Sequence, residues 1–113
     1  MIESYAFGRM TIDGVQHQRD LKIVGGRVAA GWWRKEGHRV DVDDVRDILE
    51  ARPEVLVVGT GAHGLMRVTG GLREALAEQG IELVAEPSDR AAETFNRLLG
   101  QGRRAAAAFH LTC

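Results

Sequence analysis

The chain lacks the marks of several common protein classes. It has a single cysteine, Cys113, so no disulfide can form within it. That suits a reducing compartment, and the cytoplasm is the expected location. Neither charge is in surplus: 15 Lys and Arg stand against 16 Asp and Glu, a net of −1. Nucleic-acid binders need a basic excess to neutralise phosphates, so no such partner is expected. No apolar run approaches the roughly 20 residues of a spanning helix, so no membrane insertion is expected. Met1 to Tyr5 has neither the basic nor the apolar stretch of a secretory signal. Linkers, low-complexity tracts and internal repeats are missing, so residues 1–113 read as one domain. Four histidines are present, His17, His38, His63 and His110, without helical His-x-x-x-His spacing. No Cys-x-x-Cys exists either, so no metal is expected.

What is there suits one small globular core, with 44% apolar and 27% charged residues. A chain this short buries somewhat over ~60% of its unfolded surface, which allows a monomer and leaves a weak homodimer open. In the first third, apolar residues alternate. Tyr5, Phe7, Met10 and Ile12 read as one face before a hairpin turn at Asp13-Gly14. Leu21 and Ile23 alternate before Gly25-Gly26, then Val28, Ala30 and Trp32. From Val40 the period changes: Val45, Ile48 and Leu49 have helical spacing, with Asp41 or Asp43 as cap. Val55-Leu56-Val57-Val58 suits a strand buried on both faces. A helix is expected over 70–79, capped by Thr69, then a strand over 81–85. A helix opened by Pro87 and capped by Ser88 comes next, and a last strand over 104–111. The expected fold is therefore α/β. A mixed β-sheet has a parallel βαβαβ C-terminal half, about three helices, and an N-terminal antiparallel hairpin region. Right-handed crossovers put both later helices on one face if the strand order runs one way.

Ligands of such sheets bind outside the carboxyl ends of the strands. Three segments are expected there: Gly59 to Gly64, Pro87-Ser88, and His110 to Cys113. Helix N-termini beside them would favour an anion. The loop matches G-x-G-x-x-G at Gly59, Gly61 and Gly64, but Leu65 to Val68 intervene before the helix. A dinucleotide fingerprint opens its helix directly, so no cofactor is expected. His110 and Cys113, three apart, are raw material for a Cys–His nucleophile, but the structural reading is adopted and no catalytic residue is assigned. In Trp32-Trp33-Arg34, adjacent indoles on a strand point opposite ways. One can enter the core, and the other can sit at an interface. The candidate binding residues are Arg34, Thr60, Gly61, Gly64, Arg67, Ser88 and His110.

Six ordered motifs span nearly the whole chain: Tyr5-x-Phe7-Gly8, Asp20-Leu21-x-Ile23, Trp32-Trp33-Arg34-x-x-Gly37-His38, Gly59-Thr60-Gly61-x-x-Gly64, Phe95-Asn96 and Ala108 to Cys113. Together they resemble a small family without assigned activity. It includes the adipogenesis-associated domain protein of animals and an assembly factor for mitochondrial respiratory complex I. The resemblance implies a compact α/β fold with a mixed sheet and no established cofactor or catalytic residue. Ser88 and Phe95 stand where relatives often carry Thr and Tyr. With the domain motifs beginning at Tyr5, a bacterial or archaeal stand-alone member without a mitochondrial targeting extension is expected. The favoured function is a non-catalytic binding or assembly-type module with an unknown protein partner. The alternative is a small-anion or metabolite-binding protein, or an enzyme, using the glycine loop.

Overall fold

A computed structural model describes residues 1–113. Three short strands open the chain: β1 (Ile2–Ala6), β2 (Arg9–Ile12) and β3 (Val15–His17), which form an antiparallel meander. Next come β4 (Leu21–Val24) and β5 (Arg27–Ala30), joined at Gly25-Gly26. The two-residue strand β6 (Arg39–Val40) leads into a single 3-10 turn at Val42–Val45 and helix α1 (Arg46–Ala51). The rest runs β7 (Val55–Thr60), β8 (Arg67–Val68), α2 (Gly70–Glu78), β9 (Glu82–Glu86), α3 (Ser88–Gly100) and β10 (Ala105–His110).

The main sheet has the order β5-β4-β10-β7-β9. Strands β10, β7 and β9 are parallel, while β4 and β5 are antiparallel to their neighbours. The sheet is mixed, as expected, and the two early hairpins form at Asp13-Gly14 and Gly25-Gly26.

Strand β7 is fully buried because it sits between two cores. Alternation divides it. Val55 and Val57 pack with Ala91, Ala92, Phe95 and Leu98 of α3 and with Ile2, Met10 and Ile12 of the small sheet. Leu56 and Val58 pack with Ile48 and Leu49 of α1 and Leu72 and Leu76 of α2. The strand order does not run one way: β9 is on one side of β7, and the chain returns over β7 to place β10 on the other. Helices α2 and α3 therefore cover opposite faces, a correction to the one-face arrangement. Local signals behave as expected. Asp41 forms a capping box with Asp44, and the Thr69 hydroxyl accepts the Leu72 N–H at 3.1 Å.

Candidate functional site

The carboxyl ends of β7, β9 and β10 meet along one rim. In register, His110 lies opposite Thr60 and Glu86 opposite Gly59. Ser88 begins α3 next to them, fully buried. It does not cap its helix, because extended Pro87 occupies the N-cap position and Ser88 is the first helical residue. Its hydroxyl instead bridges the sheet: it accepts the Gly61 N–H at 2.9 Å and donates to the His110 carbonyl at 2.5 Å. The Ser88 N–H completes the stitch by donating to the Gly61 carbonyl at 3.0 Å. Ser88→Ala should destabilise the fold by about 2–3 kcal/mol, because it leaves a buried N–H without its acceptor. Chemical denaturation would measure this, and a loss below ~0.5 kcal/mol would mean that the bridge carries no weight.

The glycine loop is occupied by the chain itself. Ala62 N–H donates to the Thr112 carbonyl at 2.6 Å, and Leu65 N–H to the Cys113 main-chain oxygen at 3.2 Å. A Cβ on Gly61 would stand 2.6 Å from that Cys113 oxygen. Gly64 is an exposed turn residue near the Thr60 hydroxyl and Pro87.

Behind the rim lies a buried charged node. The Arg34 side chain is only 4% exposed, and its Nη1 stands 2.9 Å from Asp20 Oδ2, out of line for a hydrogen bond. Its Nη2 donates to the Gly37 carbonyl at 2.7 Å, and its guanidinium carbon lies 4.6 Å from the Trp32 ring centroid. His110 Nδ1 is 2.8 Å from the same Asp20 oxygen. We assign the proton to Nδ1, since a lone pair there would face a carboxylate oxygen. Arg34 Nη2, 3.2 Å from Nδ1, then abuts the ring without bonding it. His110 Nε2 is buried with no hydrogen-bond partner. Asp20 Oδ1 accepts the Leu111 N–H at 2.8 Å. Burial pushes the Asp20 carboxyl up, but hydrogen bonds from His110 and Leu111 and the Arg34 guanidinium beside it outweigh that and hold the group below the usual carboxylate value.

The structure thus brings Arg34, Thr60, Gly61, Ser88 and His110 together. Arg67 stays outside the node: it is exposed, with its N–H on the His38 carbonyl and no carboxylate within ion-pair reach of its side chain. Sequence reasoning missed Asp20 and His38 as members. His38 packs edge-on against His110 with centroids 5.7 Å apart, and its Nε2 is 3.9 Å from Cys113 Sγ. The only available signal was that both residues sit within the ordered motifs, Asp20 before an apolar strand and His38 after Gly37. No three His, Cys, Asp or Glu side chains converge as a metal centre requires.

The outer rim carries large apolar side chains in water. Trp33 is 85% exposed, Phe7 60% and Leu65 52%. Phe7 does not join the core with Tyr5, because the chain turns at Phe7-Gly8, a hairpin turn ahead of the one at Asp13-Gly14. Its ring lies 6.4 Å from that of His63.

This combination defines a class: a compact α/β domain whose carboxyl edge is closed by its own chain and fringed with exposed aromatic and aliphatic groups. Residues 2–110 match the family described as "Protein of unknown function (DUF498/DUF598)", and the chain belongs to it. It is similar to the conserved hypothetical protein PH1505 of Pyrococcus horikoshii at 26% identity. That match has a TM-score of 0.85 and covers 100% of this chain and 99% of that one. An outer membrane protein of Bartonella henselae is also 26% identical, with a TM-score of 0.84 over 99% of this chain and 94% of that one. That name is the Bartonella protein's own; in this chain no helix is long and apolar enough to cross a membrane. A Bordetella pertussis protein described as a Mth938-like domain shares the fold at 21% identity and a TM-score of 0.78, over 98% of this chain and 85% of that one.

Proposed function

We propose that this chain is a non-catalytic binding or assembly-type module, working in the cytoplasm, that docks a protein partner on the carboxyl-edge rim. One observation carries this reading: Trp33 is held 85% exposed between two anchored neighbours, Trp32 and Arg34, each only 8% exposed. Trp32 is fixed by its indole N–H on the Asp44 carbonyl at 2.9 Å and by its main-chain N–H on the Asp20 carbonyl at 2.8 Å. Arg34 is fixed by the charged node. The backbone that carries the Trp33 indole is therefore fixed, which lowers the main-chain entropy lost on binding. Tryptophan is also the residue type enriched at interface hot spots. Arg34, Thr60, Gly61, Ser88 and His110 serve here as the frame, while Gly64 and Arg67 lie at its accessible margin.

A second reading takes the glycine loop as a small-anion cradle. It is favoured by the Ala62 and Leu65 N–H groups, which already grip oxygen atoms of Thr112 and Cys113. A free anion would use them only once that segment lifts away.

The test is Trp33→Ala. Its folding stability should stay within about 0.5 kcal/mol of the parent, as for other surface changes. Tagged parent and variant would be expressed at equal levels in the cell that encodes the chain and isolated under mild conditions. A protein retained by the parent and lost from the variant is the expected result. If the parent retains nothing that the variant loses, the docking reading fails.

A further inference from the structure

We propose that the rim selects an acidic partner segment carrying large apolar side chains. This rests on the docking reading above and adds the chemistry of what docks. The rim is assembled from four stretches: Phe7 to Arg9, Gly31 to Arg39, Gly61 to Val68, and Phe109 to Cys113. They are joined by contacts. Gly8 N–H donates to the Leu111 carbonyl at 2.8 Å, Leu65 N–H to Cys113, and Arg67 N–H to the His38 carbonyl at 2.8 Å. Arg34 holds Gly37 on the same edge.

These stretches contain one acidic side chain, Glu36, and it faces Arg39 at 3.5 Å. Against it stand Arg9, Arg34, Lys35, Arg39 and Arg67, with His38 and His63 beside them. Lys35 is taken by Asp43 at 3.1 Å, and Arg34 by buried Asp20. Arg9 and Arg67 are exposed and meet no carboxylate within ion-pair reach. The acid-free zone is wider than the rim: residues 55–73 and 94–113 hold no Asp or Glu.

Other carboxylates reach this edge only as partners already engaged: Asp20 inside the node, and Asp43 and Asp44 on Lys35. Two more mark the border on the α3 side. Glu86 accepts the Thr94 hydroxyl at 2.6 Å, and Asp89 accepts the Arg90 N–H at 2.8 Å. Asp89 lines a groove with Glu3, Tyr5 and Glu93. A basic or neutral segment has no reason to prefer the Arg67 side, whereas an acidic one is attracted to Arg9 and Arg67 and repelled at Asp89. Its apolar residues would cover Trp33, Leu65 and Phe7, the side chains that now face water. Electrostatics of this kind set register and on-rate, while the aromatic contact supplies most of the affinity.

The experiment is selection from a random peptide library displayed against the full folded chain, followed by titration of synthesised winners into labelled protein observed by NMR. The two indole N–H signals are distinguishable, because that of Trp32 is bonded to Asp44. Expected winners are net acidic with Trp, Phe or Leu, and they move the Trp33, Leu65 and Phe7 signals. Trp33→Ala should weaken them at least about tenfold. The double reversal R9E/R67E should weaken them several-fold, and added salt should do the same. Winners that map to this rim but are neutral or basic would overturn the acidic class and leave docking intact. Winners that bind independently of Trp33, or no winners, would overturn docking as well.

Discussion

Arg34→Met should destabilise the fold by about 3–5 kcal/mol, the cost typical of removing one partner from a buried ion pair. The reason is what it leaves behind. Asp20 would keep its charge beside His110 with no cation against it, and its side chain is only 17% exposed. The stacking of the guanidinium on Trp32 would go as well. A domain of this size has a total stability of roughly 5–15 kcal/mol, so the variant should unfold at markedly lower urea. The double variant D20N/R34M should recover most of the loss, since neutralising both partners removes the stranded charge. A single Arg34→Met loss under ~1 kcal/mol would show that the node is not a buried ion pair in energetic terms.

The same node has a pH signature. Asp20 has a folded-state pKa below its unfolded value, so the unfolded chain takes up its proton first. Its contribution is complete above the ordinary carboxylate range, ~3.9, and is lost as pH falls toward the folded value. The parent should therefore lose stability more steeply below about pH 4 than Asp20→Asn. Asp41, Asp43 and Glu54 are also lowered by hydrogen bonds and remain in both proteins, so the difference between the two curves isolates Asp20.

Gly61→Ala should be the most damaging glycine substitution on the rim, at about 2–4 kcal/mol. Its φ is +102°, a region that side chains rarely enter, and the new Cβ would lie 2.6 Å and 2.7 Å from main-chain oxygens of Cys113 and Thr112. Neither oxygen can move without breaking its bond to Ala62 or Leu65. Faster amide exchange at those two positions is the local readout. Gly64→Ala is the control. Its φ of +69° lies in the left-handed region, but its nearest neighbours are 3.6 Å and 3.7 Å away, so only about 1 kcal/mol is expected. Equal losses for the two would remove the steric argument for the closed loop.

The sequence exposed those features of the fold that arise locally. The apolar run at 55–58, the cap at Thr69 and the turns at Asp13-Gly14 and Gly25-Gly26 each depend on a few neighbouring residues. The face occupied by α3 does not, because it follows from β10 entering between β4 and β7. The rim residues 60, 88 and 110 could be placed from strand direction alone. The partner that holds Arg34 and His110 could not: Asp20 is 90 residues from His110 in the chain, and no periodicity links them. Ser88 was visible as a helix opener, but its bridge to Gly61 and His110 depends on three strands ending at one height.

The position of β10 also bears on how the molecule comes into being. The strand that separates β4 from β7 leaves the ribosome after both of them. Until it emerges, neither hydrophobic layer has its central wall, and the β4-β5 hairpin has no strand to join it to the sheet. Assembly is therefore a late, cooperative event governed by contacts between distant parts of the chain, which is the topology that slows folding. A chain ending just short of residue 105 would hold every other element of this protein and lack the strand that ties β4 to β7.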